Sequence, residues 1–212
     1  MVIAIDGPAG AGKSTVARGV ADALGLTYLD SGAMYRCVAL AALRRGADLD
    51  DPSATGEIAR SVEIGLDARG VELDGADVTR EIRTPDVDLA ASRVSVHPEV
   101  RDEMVKRQRA LIDSGSYVAE GRDIGTVVSP GASLKVFLTA TDEERARRRA
   151  AESRALFEDV VEAQRERDAR DAEREHSALR PADDAIELDT TGLSVAEVVD
   201  RIVELAGERG LA

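Results

Sequence analysis

The chain has no tryptophan, no asparagine and one cysteine, and only 2% of its 212 residues are aromatic. Each shortage excludes something. With so few rings, the core has to be built from Val, Leu, Ile and Ala. Cys37 alone cannot close an internal disulfide, which fits a reducing compartment, and it reads as core packing. Without asparagine there can be no N-K-x-D motif for reading guanine, which removes the switch GTPases. No apolar run approaches the ~20 residues of a membrane span. Met1 is followed at once by a strand-like run, so no signal peptide is expected. A cytoplasmic protein with no membrane partner is the expectation. A net charge of −13 argues against holding nucleic acid through bulk charge.

Against that acidic background the arginines are grouped: Arg145, Arg147, Arg148 and Arg149, then Arg165, Arg167, Arg170 and Arg174. Focal arginines on an acidic chain suit a small anionic ligand held in a cleft. They equally suit solvated helix faces with i,i+4 ion pairs.

The most informative stretch is Gly7-Pro8-Ala9-Gly10-Ala11-Gly12-Lys13-Ser14, a complete phosphate-binding loop followed by Thr15. Val2 to Asp6 before it is a β-branched apolar run suited to a buried parallel strand. Val16, Val20 and Leu24 after it recur at helical spacing. Glycines let backbone N–H groups turn inward around a phosphate, and the helix start adds its positive end. Lys13 supplies a point charge for the β- and γ-phosphates, and the Ser14 hydroxyl is placed for Mg²⁺.

Strand and helix patterns alternate along the rest, predicting an α/β domain with a parallel sheet. Ala33–Arg45 reads as a helix, Tyr117–Ala119 and Leu134–Leu138 as strands, and Ala185–Asp189 as the last strand. Between them, Val62, Ile64, Leu66, Val71 and Leu73 alternate around Gly70, with Asp74-Gly75 as a turn. This marks a small antiparallel β-hairpin inserted into the α/β repeat. Thr141 to Glu144 is a capping-box pattern, residues 152–177 read as an exposed charged helical segment, and Ser194–Glu197 caps a closing helix with Val195, Val198, Val199 and Ile202 toward the core. A Walker B strand of four or more apolar residues ending in Asp is not evident. Small P-loop kinases of metabolites or nucleotides fit this best; a non-enzymatic ATP-binding switch is the alternative of another class.

Five motifs then carry a specific resemblance: Ile5-Asp6-Gly7-Pro8, Leu29-Asp30-Ser31-Gly32-Ala33-Met34-Tyr35-Arg36, Glu81-Ile82-Arg83-Thr84-Pro85, Gly121-Arg122-Asp123-Ile124-Gly125-Thr126 and Arg167-Asp168-Ala169-Arg170-Asp171. In this order they are similar to the bacterial cytidylate kinases, P-loop nucleoside monophosphate kinases that use ATP to phosphorylate CMP and dCMP. The resemblance implies a P-loop kinase core with a central parallel sheet flanked by helices (1–52, 97–151 and 178–212), an inserted subdomain for the monophosphate (53–96) and a short helical lid (152–177). It implies that Gly7 to Thr15 bind ATP, with Arg148 near the adenine or phosphates. It gives Asp123 and Ser92 the cytosine amino group and Arg101 the acceptor edge of the base. Arg36 and Arg122 clamp the acceptor phosphate, Ser31, Tyr35 and Gly121 line the same site, and Asp171 accepts from the ribose. Lys13, Arg122, Arg167 and Arg174 stabilise the transferring charge, with Mg²⁺ as cofactor on Ser14. A monomer is expected. A relative kinase acting on UMP or AMP remains the alternative among enzymes.

Overall fold

The computed structural model describes residues 1–67, 70–153, 157–158, 160–162, 164–165 and 179–211. They pack as two compact units, residues 1–30 with 111–212, and residues 31–110.

The first unit is built on strand β1, Val2–Asp6, buried along its whole length as its β-branched composition requires. It pairs in parallel with Tyr117–Gly121 and Leu134–Thr139. Thr27–Asp30 and Ile186–Asp189 complete the sheet outside these, also in parallel. In chain order these strands are β1, β2 (Thr27–Asp30), β6 (Tyr117–Gly121), β7 (Leu134–Thr139) and β8 (Ile186–Asp189), and across the sheet they run β2-β6-β1-β7-β8. The predicted parallel α/β core is therefore present. Register sets Asp6 beside Gly121 and Asp30 beside Glu120. The carboxyl ends of β1, β2 and β6 thus reach one edge level with each other.

Helix α1, Lys13–Leu24, lays Val16 and Val20 against Ile3, Ile5, Leu134 and Leu138. The last helix, α7 (Val195–Glu208), joins that core through Val198, Ile202 and Leu205. Its capping box is complete: Ser194 Oγ accepts from Glu197 N, and the Glu197 carboxylate accepts from Ser194 N. Val195, expected toward the core, is instead exposed. At the first helical position its Cβ tilts toward the N-terminus, off the face that Val198 and Ile202 share. Helix α6, Asp142–Ser153, starts with Thr141 Oγ1 accepting from Glu144 N, but the Glu144 carboxylate turns to Arg147 and Arg148 rather than back to the cap. Of the charged segment at 152–177, the described Val160 and Gln164 are buried, contrary to an exposed reading. Two apolar or amide side chains on one helical face suffice for that when the other faces carry the charge.

The second unit contains α2 (Ser31–Arg45), α3 (Pro52–Ser61), β3 (Ile64–Asp67), β4 (Gly70–Leu73), β5 (Ala76–Asp77), α4 (Pro85–Val94) and nearly all of α5 (Pro98–Ile112). Asp51 caps α3 by accepting from Ser53 N and Ala54 N, and Pro52 fits its first turn. The predicted antiparallel hairpin is a three-stranded sheet, β3-β4-β5. Asp74 and Gly75 both take positive φ (52° and 78°), as a tight hairpin turn needs. Strand β5 has two residues, too short to show a period in sequence. Cys37 is buried in α2, as expected of packing. Among the described residues no helix is long and apolar enough to cross a membrane.

Candidate active site

The loop Gly7–Ser14 joins β1 to α1 at the carboxyl edge of the sheet. Gly10 and Gly12 adopt left-handed φ of 76° and 87°, which turn the backbone around an open centre. At Gly10 a Cβ would stand 2.7 Å from the Arg145 carbonyl oxygen. Gly25, at the far end of α1, has φ 63° but open space where its Cβ would go. Gly25→Ala is therefore expected to cost about 1–2 kcal/mol of strain and leave nucleotide binding intact. Gly10→Ala adds a backbone overlap to the same strain, and is expected to cost more and to abolish ATP binding. Urea unfolding and ATP calorimetry on both variants check this.

The loop is tied down from outside through its carbonyls. Arg122 Nη1 donates to Gly7 O at 2.7 Å and Arg145 Nη1 to Ala9 O at 3.1 Å. Lys13 Nζ donates to Pro8 O at 2.7 Å. Arg148 donates to Thr190 Oγ1 and O at 2.9 and 2.7 Å and pairs with Glu144. Within the loop, Ala11 N also donates to Pro8 O at 3.5 Å, so its carbonyls are held by donors from both inside and outside it. Ser14 and Thr15 are exposed at the start of α1, whose positive end faces the same space.

Three carboxylates stand behind the loop, and sequence reasoning gave none of them a role. Asp6 accepts from Ile124 N at 2.8 Å and Gly125 N at 2.7 Å, which fixes the turn after β6 that carries Arg122 and Asp123. Burial pushes its carboxyl up to about 6, against the lowering effect of those two N–H groups. Glu120, at the end of β6, is also raised, by burial first and then by Asp30, while Lys13, Tyr28 and Ser14 oppose the rise. Tyr28 Oη donates to Glu120 Oε1, and burial holds that phenol protonated. The signal for Glu120 was a polar residue closing a buried three-residue apolar run beside the phosphate loop. It is a shorter strand than a Walker B pattern asks for.

The Asp6 shift makes a stability prediction. Its folded value, about 6, lies above the unfolded 3.8, so the folded state takes up a proton first as pH falls. Asp6 thus contributes stability below pH 4 that fades as pH rises through 6. The unfolding free energy of the wild type relative to Asp6→Asn is expected to be about 1 kcal/mol larger at pH 5 than at pH 7. Urea titrations of both proteins at the two pH values read this directly.

In the second unit, Ser31 begins α2 and is buried, and Tyr35 and Arg36 follow one turn on. Arg101 of α5 is buried with its guanidinium 5.7 Å from the centre of the Tyr35 ring, and Nη1 donates to Ser95 O at 3.5 Å. Ser92 of α4 is buried, and its Oγ has no hydrogen-bond partner among the described residues. The structure therefore groups Lys13, Ser14, Arg122, Asp123 and Arg148 in one unit, and Ser31, Tyr35, Arg36, Ser92 and Arg101 in the other. Arg167, Asp171 and Arg174 lie outside the described residues. Of the grouped arginines, Arg147 is exposed in ion pairs with Glu143 and Glu144, whereas Arg145 is buried against the loop.

The family model for cytidylate kinase matches residues 3–208. The chain belongs to the cytidylate kinase family. Cytidylate kinases from Geobacillus kaustophilus and Desulfitobacterium hafniense are 50% and 49% identical to it, each over 98% of this chain and over 96% and 93% of their own. That of Bacillus subtilis is 46% identical over 98% of this chain and 96% of its own. Solved structures share the fold: an uncharacterised protein from Eubacterium ventriosum, TM-score 0.53 at 13% identity and 98% of both chains, and a Thermus thermophilus protein, TM-score 0.50 at 21% identity over 98% and 96%.

Phosphoryl transfer in a cytidylate kinase needs a divalent metal ion. Among the described residues no group of three or more His, Cys, Asp or Glu is placed to hold one. What is present is an exposed Ser14 hydroxyl at the start of α1, beside the phosphate loop. A hydroxyl oxygen has two lone pairs to offer a cation. This oxygen set suits a hard ion that completes its shell with phosphate oxygens and water.

Proposed function

We propose that this cytidylate kinase family member transfers the γ-phosphoryl group of ATP to the 5'-phosphate of CMP or dCMP, giving ADP with CDP or dCDP. The observation that carries the reading is the Asp6 grip on Ile124 N and Gly125 N. It locks the Arg122-Asp123 turn to the strand that ends in the phosphate loop, so donor-phosphate and acceptor-reading groups share one rigid support. The names of the relatives described above favour CMP over UMP or AMP, and favour an enzyme over a switch.

Each residue has a chemical task in this reading. The backbone from Gly7 to Gly12, with Ser14 and Thr15, cradles the ATP phosphates, and Arg148 lies by the adenine or phosphates. Lys13 draws charge from the β- and γ-phosphates. Asp123 accepts from the cytosine amino group together with Ser92, whose buried Oγ makes no hydrogen bond among the described residues. Arg101 donates to the acceptor edge of the base. Uracil presents a carbonyl in place of the amino group, and an acceptor facing an acceptor disfavours it. Arg36 and Arg122 clamp the acceptor phosphate as planar forks, with Ser31, Tyr35 and Gly121 around it. Asp171 takes the ribose, and Arg167 and Arg174 meet the transferring charge from the lid. Residues 53–96 serve as the monophosphate-binding insertion and 152–177 as the lid. The metal is Mg²⁺ on Ser14, where it would neutralise phosphate charge. The protein works as a cytoplasmic monomer on small molecules, without nucleic acid or membrane.

No general base is required. The acceptor monoester has a second pKa of roughly 6 and is largely a dianion at neutral pH. Its oxygen attacks the γ-phosphorus in line as the bond to ADP breaks, and the chain supplies position and positive charge. Incubated with Mg-ATP and CMP, the protein is expected to form CDP and ADP in equal amounts by ion-exchange chromatography. ADP without CDP would contradict the reading.

A further inference from the structure

Thr190 directly follows β8, whose last residue, Asp189, lies beside Thr139 at the end of β7. It is 1% exposed, and its side chain has no part in the site described so far beyond its contact with Arg148. Its N–H and its hydroxyl both donate to Thr139 O, at 2.8 and 2.9 Å, with Ala11 O of the phosphate loop farther from the hydroxyl at 3.4 Å. With its hydrogen engaged there, Thr190 Oγ1 turns a lone pair to Arg148, whose Nη1 donates to it at 2.9 Å while Nη2 donates to Thr190 O at 2.7 Å. Glu144 Oε1 accepts from the remaining nitrogen, Nε, at 3.0 Å.

We infer that Thr190 is a positioning residue for ATP binding, acting through Arg148. A guanidinium carries five N–H donors in a rigid fork. Glu144 fixes the Nε edge, and Thr190 alone fixes the open end, through its hydroxyl and its carbonyl. Among the described residues this leaves one N–H on each terminal nitrogen for a ligand. Nη1 is beside the phosphate loop, 3.6 Å from where a Gly12 Cβ would stand. A spare N–H of a fixed guanidinium at that place suits an anionic oxygen, the phosphate of a nucleotide. Any residue at 190 could hold Nη2 through its carbonyl, but only a hydroxyl aims Nη1. An arginine that the ligand itself had to order would lower affinity by up to about 10-fold, and Thr190 removes that cost before ATP arrives. The inference rests on the nucleotide-site reading above and deepens it.

The test compares Thr190→Val, which keeps the shape and the backbone bonds and removes the hydroxyl, with Thr190→Ser, which keeps the hydroxyl. ATP affinity is read by calorimetry and KM for CMP at saturating ATP, at a temperature where circular dichroism shows each variant folded. Thr190→Val is expected to weaken ATP by about 10-fold and to leave KM for CMP within about twofold of wild type. Thr190→Ser is expected to bind ATP within about twofold of wild type. Arg148→Met is expected to weaken ATP at least as much as Thr190→Val, and adding Thr190→Val to it is expected to change ATP affinity by less than about twofold, because the route is gone. Unchanged ATP affinity in Thr190→Val or in Arg148→Met, a Ser variant as weak as the Val variant, or a full Val effect persisting beside Arg148→Met would each overturn the assignment. Wild-type protein that binds no ATP would overturn the nucleotide-site reading itself, and this assignment with it.

Discussion

Lys13→Met will lower kcat by about 10²–10³-fold, the scale for removing one preorganised donor from a developing charge. Met keeps the length of the side chain and loses only the ammonium. The hydrogen bond to Pro8 O disappears, yet the loop remains held through Arg122 on Gly7 O and Arg145 on Ala9 O. Lys13 also lowers the pKa of two buried carboxyls, Asp6 and Glu120. Its loss will push both further up, so the variant will melt lower at pH 8 than the wild type by more than it does at pH 5. Steady-state kinetics with CMP and scanning calorimetry at the two pH values separate the catalytic loss from the stability change. A kcat within tenfold of wild type would remove Lys13 from the transferring charge.

Asp123→Asn will lower kcat/KM for CMP by about 10–200-fold, since one well-placed base contact is worth about 1–3 kcal/mol. The amide can donate to the uracil carbonyl, so UMP will gain relative to CMP. The backbone around Asp123 should survive, because the Asp123 carbonyl accepts from Val127 N and Val128 N and the amide keeps the shape of the carboxylate. ATP affinity will stay near wild type. A variant that loses CMP and ATP binding equally would show that Asp123 shapes the turn and does not read the base.

The parts legible in the sequence are those where a local pattern has a local cause. β1, the phosphate loop and α1 follow from a buried β-branched run, glycines that reach left-handed φ and a repeating apolar face. The Ser194 capping box is likewise a four-residue signal with a four-residue consequence. What escaped depends on partners distant in the chain. Asp6 lay within a recognised motif, but its role is to hold the backbone at Ile124 and Gly125, 118 and 119 residues away. Glu120 reads as the polar end of a short strand until Ser14, Tyr28 and Asp30 are placed around it. Arg145 and Arg147 look alike in a charged run. Helical phase buries one against Ala9 O and leaves the other in surface ion pairs, where such pairs are worth little. The proposed acceptor-side residues were visible only through the family resemblance, because Ser92 and Arg101 occupy ordinary helix positions.

The most direct measurement is ADP release with Mg-ATP across CMP, dCMP, UMP, AMP and GMP, each over a range of concentrations. Turnover of CMP and dCMP with kcat/KM at least about 10²-fold above UMP, AMP and GMP is the predicted result. Equal use of UMP, or ADP release indifferent to every acceptor, would contradict it.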